Sequence, residues 1–167
     1  SAMQVISMLI DIVSKNGNML LSIPLRSDGT FDEKEEKVLM DIKKWMDQNS
    51  RSIYGTRPWT VFGEGPDAEK ENKLNAQGFN EKNDYTAQDV RYVTKGDTLF
   101  ATIMRWPADK KFTFHRVGTD KGKVKSVELL GQKGKVSNKQ DSNGLTVTLP
   151  KKQVNDIAPV FAITFKK

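Results

Sequence analysis

The sequence predicts an α+β protein in which a helix–strand–helix segment precedes an antiparallel β-sandwich. Apolar residues recur with the period of a helix up to residue 48, whereas from residue 90 they alternate with a period of two. Turn-forming residues separate the runs of the second part at short intervals, as in sandwich domains. We therefore divide the chain into residues 1–58, a junction with a long polar loop at 59–89, and the sandwich at 90–167.

The first part reads as one and a half α/β units. We interpret residues 1–3 as a cloning remnant. Apolar side chains cover most of a helix at 4–15, and Gly17 suits a left-handed cap at its end. The run MLLSIPL at 19–25 has the length and composition of a fully buried parallel strand, whose parallel partners are absent from this chain.

A turn at 27–30 leads into a second predicted helix. Asp32 provides its N-cap, with Glu35 three residues later as in a capping box, and the helix runs to about residue 48. Its apolar side chains form one stripe, which places Trp45 in the core. The stripe consists of Val38, Leu39, Ile42, Trp45 and Met46.

Short strands account for the rest of the chain. Residues 90–94 and 98–106 flank Lys95-Gly96-Asp97, which predicts a hairpin. Further strands are expected at 112–117, 123–131, 135–140, 145–149 and 160–165. The regular spacing of these runs favours an antiparallel sandwich.

Composition excludes several classes of site. The chain has no cysteine and one histidine, which removes disulfide scaffolds, thiol catalysis, cysteine-ligated metals and histidine clusters. The longest apolar runs are a few residues, too short for a transmembrane helix. The net charge of +6 is uneven: residues 1–90 hold 11 Lys and Arg against 15 Asp and Glu, and 91–167 hold 16 against 6. This leaves open a polyanion binder, although a solvated lysine-rich surface explains the charge equally well.

Few side chains qualify as candidates for chemistry. Asp28 and Asp32 follow the predicted strand, but a turn before glycine and a helix N-cap explain them. Arg26 lies at the same edge and could line a sugar or anion subsite. The rings of Trp59 and Trp106 could stack on sugar faces, with Trp59 more suited to an interdomain wedge. His115 is expected to be exposed and has no partner ligands for a metal.

Several strings resemble glycoside hydrolase family 29, the α-L-fucosidases. They are LIDIVSKNGNMLLSIPLRSDGT (9–30), KKWMDQNSRSIYGTRPW (43–59), YTAQDVRYVTKGDTLFATIMRWP (85–107) and GLTVTLP (144–150). The resemblance covers residues 4–167 and implies the end of a (β/α)8 catalytic barrel followed by a C-terminal β-sandwich. The chain departs from the family at Ser22 and Ile23-Pro24, where Asn and Gly-Pro are common, and at Ser50-Arg51, where Gly-Glu is common.

The resemblance also implies an activity and partners. Family members hydrolyse terminal α-L-fucose with retention, using an aspartate nucleophile and a second carboxylate as acid and base. Those residues lie on earlier barrel strands, so we expect no catalytic residue, metal or cofactor in this chain. Expected partners are the missing N-terminal catalytic barrel, fucosylated glycans bound by the parent enzyme, and a second copy contacting the exposed barrel remnant. We expect no membrane or specific nucleic-acid partner, and export to the periplasm or the exterior. The alternative function is a stand-alone carbohydrate-binding sandwich.

Overall fold

The protein has three layers in the computed structural model, which describes residues 1–69 and 84–166. Two helices cover one face of a five-stranded sheet, and a three-stranded sheet covers its other face. This arrangement confirms the predicted α+β class with a dominant antiparallel sandwich. No helix in these two ranges is both long and apolar enough to cross a bilayer.

The strand pairs within the described residues are all antiparallel. The helices are α1 (Ala2–Ser14), α2 (Glu33–Asn49) and the single turn α3 (Pro66–Glu69). The strands are β1 (Arg57–Glu64), β2 (Val90–Lys95), β3 (Thr98–Ile103), β4 (Lys111–Phe114), β5 (Val124–Leu129), β6 (Asn138–Asp141), β7 (Gly144–Thr148) and β8 (Val160–Phe165). The large sheet has the order β1-β2-β3-β8-β5 and the small sheet β4-β7-β6, so β1 and β4 are both edge strands.

The end of α1 differs from the prediction in one residue. Asn16, not Gly17, is left-handed, with φ 66°. The backbone N–H groups of Asn16 and Gly17 donate to the carbonyls of Val13 and Ile12, the pattern of a Schellman cap. Glycine is needed at 17 for space, because a Cβ there would lie 2.7 Å from the side chain of Ile12.

The second helix forms as predicted. The carboxylate of Asp32 accepts hydrogen bonds from the backbone N–H groups of Lys34 and Glu35, which caps α2. Trp45 on its apolar stripe is 1% exposed. The N-cap and the apolar stripe were therefore sufficient to predict α2.

The strand predicted at 19–25 is wrong for this chain. Residues 17–25 form no strand, and Leu20 is 97% exposed, with Leu21 and Leu25 exposed beside it. A strand exists only where a neighbour completes its backbone hydrogen bonds. None of the described strands lies alongside this run, so its three leucines stay exposed to solvent.

Both faces of the large sheet are buried, and each has its own core. The face toward the small sheet holds Tyr92, Leu99 and Phe161, which pack on Phe114 and Leu145. The opposite face packs on the helices. Its core comprises Ile6, Ile10, Trp45, Val93, Phe100, Met104, Leu130, Ala158, Val160 and Ala162.

Strand β1 was not expected from the sequence. It contains Pro58, and its pairing with β2 is irregular between Pro58 and Gly63, so the period-two pattern is broken. The polar loop predicted at 63–89 begins with the end of β1 and α3 instead. Residues 70–83 of that prediction lie outside the described residues.

Candidate functional site

A buried arginine joins the first helix to the sandwich. Arg91 on β2 is 1% exposed, and its Nε donates to Oδ1 of Asp11 on α1 at 2.6 Å. Its Nη2 donates to Asp67 on α3. The guanidinium also lies over the rings of Phe62 and Tyr85, at 5.3 and 5.2 Å. Three separate elements are therefore held by one side chain.

The charges at this junction favour the ionised arginine. Burial alone would lower the pKa of Arg91, but the carboxylates of Asp11 and Asp67 outweigh it and the pKa is raised. Burial and the nearby Asp11 carboxylate raise the pKa of Tyr85 to about 12. Sequence reasoning passed over Arg91, although a charged residue inside the buried run VRYV is a usable signal.

The second helix is fixed to the same face of the sheet by side chains near its end. The indole N–H of Trp45 donates to the carbonyl of Ala158 at 3.1 Å. The amide of Gln48 donates to the carbonyl of Leu130 at 2.7 Å. The two acceptor carbonyls lie just outside the strands of the large sheet, one after β5 and one before β8. The two hydrogen bonds therefore fix the position of α2 along the sheet.

A buried glutamate joins the two sheets on their open side. Glu64 ends β1 and is 7% exposed. Its two carboxylate oxygens accept the backbone N–H groups of His115 and Arg116, just after β4, at 3.0 and 2.8 Å. Burial raises the pKa of Glu64, and these two hydrogen bonds oppose that shift. Glu64 was not singled out from the sequence.

Beside Glu64 lies a cleft of about 700 Å³. It opens between the edge strands β1 and β4. Its walls come from the end of β1, α3, the turn before β2, and β4 with its flanking residues. A cleft of this size lies within the range of ligand pockets.

The predicted rim residues form a local turn. Asp28 accepts the hydroxyl and the backbone N–H of Thr30, which lowers the pKa of Asp28. Hydrogen bonding from the backbone N–H of Glu35 lowers the pKa of Asp32 at the N-cap of α2. Arg26 is exposed, and its backbone pairs with Thr30. The turn and cap interpretations explain both aspartates, and a subsite at Arg26 stays a prediction.

Neither candidate tryptophan lines the Glu64 cleft. Trp59 on β1 is half-buried, with its ring 5.1 Å from that of Tyr92. Trp106 packs against the core between the sheets, and its indole N–H is buried without a partner among the described residues. Sugar stacking on either ring stays a prediction.

His115 is exposed, as expected from its position opposite Phe112 and Phe114. Its Nδ1 lies 3.2 Å from the carbonyl of Asn143. Within residues 1–69 and 84–166 no group of three His, Asp or Glu side chains could hold a metal ion. Among the described residues the geometry supplies a structural junction at Arg91 and an open cleft beside Glu64.

Two family models match consecutive parts of the chain. The model described as "Alpha-L-fucosidase" matches residues 1–51, and the one described as "Alpha-L-fucosidase C-terminal domain" matches residues 82–166, half of the chain. The chain belongs to the α-L-fucosidase family. The resemblance noted in the sequence is confirmed, as is its position in the C-terminal portion of the family's proteins.

Relatives share a low but extended identity with this chain. It is 28% identical over 164 residues to the tissue α-L-fucosidase of Mus musculus, a match that covers 98% of this chain and 31% of that protein. The chain therefore spans about a third of the length of the relatives it matches.

Solved α-L-fucosidases show the same fold. The Thermotoga maritima enzyme with a mechanism-based inhibitor aligns with a TM-score of 0.74 and 22% identity, covering 98% of this chain and 34% of that one. Isoenzyme 1 from Paenibacillus thiaminolyticus aligns with a TM-score of 0.72 and 25% identity, covering 100% and 35%. Helices α1 and α2 belong to the part matched by the first family model, so Arg91 spans the boundary between the two matches.

Proposed function

We propose that this chain is the C-terminal part of an enzyme that hydrolyses terminal α-L-fucose with retention of configuration. In this proposal the catalytic carboxylates belong to a barrel that the first 51 residues complete. The chain alone is inactive, and the sandwich supports the barrel. The observation that carries the proposal is the pair of consecutive family matches across one ion-paired junction.

The support role rests on how the junction is built. Arg91 pairs with α1 through Asp11, and the indole of Trp45 and the amide of Gln48 attach α2 to the same sheet. Both helices of the first part are therefore positioned by contacts with the sandwich. In this proposal the division stays near residue 58, and β1 belongs to the sandwich sheet.

The exposed segment provides the contact surface for the barrel. Residues 19–25 present Leu20, Leu21 and Leu25 together with unpaired backbone, which suits strand pairing with neighbours. We assign the neighbouring barrel strands as the occupant, because the relatives are three times longer and the same residues fall in the first family match.

Hydrolysis of 4-nitrophenyl α-L-fucoside tests the proposal. The chain alone should give no turnover, whereas the protein encoded with its preceding reading frame should be active. Deletion of residues 52–167 from that longer protein should abolish activity and soluble expression. Turnover by the chain alone would place a catalytic site in these residues, and an inactive, folded longer protein would contradict the assigned reaction.

A further inference from the structure

The cleft beside Glu64 has a rigid frame. Gly65 has φ +100°, and a Cβ there would lie 2.3 Å from the carbonyl oxygen of Gln88. Gly144 on β7 has φ +139°, and its Cβ would lie 2.4 Å from the carbonyl oxygen of Phe114. The first approach holds the end of β1 against the residues before β2, and the second holds β7 against β4. The two hydrogen bonds to Glu64 then join the edges of the two sheets.

Polar side chains along this frame have free hydrogen-bonding capacity. Gln88, Asp109 and Arg116 line the cleft, and among the described residues their side chains make no hydrogen bond or ion pair. Each ends in a planar amide, carboxylate or guanidinium. Such groups can bridge two adjacent hydroxyls, which is the polar pattern that a sugar ring presents.

An aromatic ring completes the lining. Phe112 on β4 is half-buried, and its ring lies 5.0 Å from that of Phe114 in an edge-to-face contact. This contact fixes the ring while part of it lines the cleft. An apolar C–H face of a pyranose fits such a ring, whereas its hydroxyls reach the planar polar groups.

The charge of the cleft favours a neutral ligand. Its described lining carries three carboxylates, Glu64, Glu69 and Asp109, against the cations Lys111 and Arg116. The two signs nearly balance, so the cleft offers no field to concentrate a polyanion, despite the basic sequence around it.

We propose that this cleft binds a neutral pyranose unit of a saccharide, with Phe112 beneath the ring and Asp109 and Arg116 hydrogen-bonded to its hydroxyls. The site does not depend on the proposed hydrolysis, because it lies in the sandwich and uses no barrel residue. An extended peptide is the competing occupant, since β4 is an edge strand. The four residues of β4 offer few backbone bonds for it. The planar side chains of Asp109 and Arg116, which have no hydrogen bond to any described residue, favour the saccharide.

Titration of the ¹⁵N-labelled chain tests the proposal. The probes are methyl α-L-fucopyranoside, methyl β-D-galactopyranoside and lactose, with a sulfated polysaccharide and an unstructured hexapeptide for comparison. At least one neutral sugar should shift the amides of residues 109–116 saturably, with a Kd on the order of 1 mM. Asp109→Ala and Arg116→Ala should each weaken that binding about tenfold. Lys110→Ala, an exposed neighbour outside the cleft, is the matched control and should change nothing.

Each other outcome overturns the proposal. The absence of saturable shifts with all three sugars, at concentrations where a 1 mM site would be filled, excludes the site. Saturable binding that survives both cleft variants places the sugar elsewhere. Binding of the sulfated polysaccharide or the hexapeptide alone assigns a different class of ligand. The amide spectra of the variants report whether the fold is intact, so loss of binding with an unchanged spectrum supports the proposal.

Discussion

The guanidinium of Arg91 and the carboxylate of Asp11 meet across the boundary between the two family matches, with Nε and Oδ1 2.6 Å apart. Arg91 is 1% exposed, and the side chain of Asp11 is 17% exposed. The pair is therefore a buried link between a helix and a strand 80 residues apart in sequence. It adds to the apolar contacts of Ile6 and Ile10 that pack α1 on the sandwich.

Replacement of Asp11 by Ala should destabilise the chain. It leaves the buried guanidinium with Asp67 as its remaining carboxylate, so we expect a loss of about 2–3 kcal/mol in the free energy of unfolding, measured by urea denaturation. Asp47→Ala, which breaks the exposed pair with Lys43, should change it by about 0.5 kcal/mol or less.

A double-mutant cycle separates the ion pair from simple packing. In an Arg91→Met background, Asp11→Ala should cost at least 1 kcal/mol less than in the wild type, because no buried charge is left without its partner. Equal costs in the two backgrounds would show that Asp11 stabilises α1 by other contacts, such as its pair with Lys15.

The elements that depend on residues close in sequence were predicted correctly, whereas those that depend on distant residues were not. Helix α2 could be predicted because its N-cap and apolar stripe lie within the helix. The hairpin of β2 and β3 could be predicted because its two-residue turn contains Gly96, whose φ is +57°. Residues 19–25 failed because a strand depends on a neighbour. The links from Arg91 to Asp11 and from Glu64 to His115 were missed because they join residues more than 50 positions apart.

Replacement of Trp45 by Phe should show the value of one buried hydrogen bond. The change leaves the carbonyl of Ala158 unpaired and leaves a small cavity, so we expect a loss of about 2–3 kcal/mol by urea denaturation. Trp59→Phe is the matched control, because the indole N–H of Trp59 has no partner among the described residues. It should cost less than half as much, and equal losses would mean that ring volume alone matters.

Substitution of two glycines should separate backbone strain from lack of space. Gly65 and Gly134 have similar φ values, +100° and +97°. A Cβ at 134 meets nothing within 4 Å, whereas at 65 it would lie 2.3 Å from a backbone oxygen. Gly134→Ala should cost about 1–2 kcal/mol from its φ alone. Gly65→Ala should cost at least 2 kcal/mol more in the same denaturation assay, and similar losses would mean that β1 can move away from β2.

Glu64 should make the stability depend on pH in a defined direction. Because burial raises its folded pKa above the ordinary 4.5, the folded chain binds more protons than the unfolded chain just above that pH. Its contribution to stability therefore falls as pH rises from 4.5 through the folded pKa, and is constant above it. The measurement is the urea midpoint of wild type and of Glu64→Gln from pH 4 to 8. As pH rises through this window, the midpoint of the wild type should fall relative to that of Glu64→Gln. A wild-type midpoint that rises relative to that of Glu64→Gln would indicate that the folded pKa of Glu64 is lowered instead.

Leucines on the exposed segment should drive self-association of the isolated chain. Leu20 is 97% exposed and Leu25 is 57% exposed, next to backbone that pairs with no described strand. Burial of these side chains and edges against a second copy removes apolar surface from water. We expect the weight-average mass from light scattering to rise with concentration, and Leu20→Ser with Leu25→Ser to abolish the rise. Thr60→Ser, an exposed change on β1, is the control and should leave the rise intact. A wild-type chain that is monomeric at every concentration would show that this segment does not pair between copies, and would leave the barrel as its sole proposed occupant.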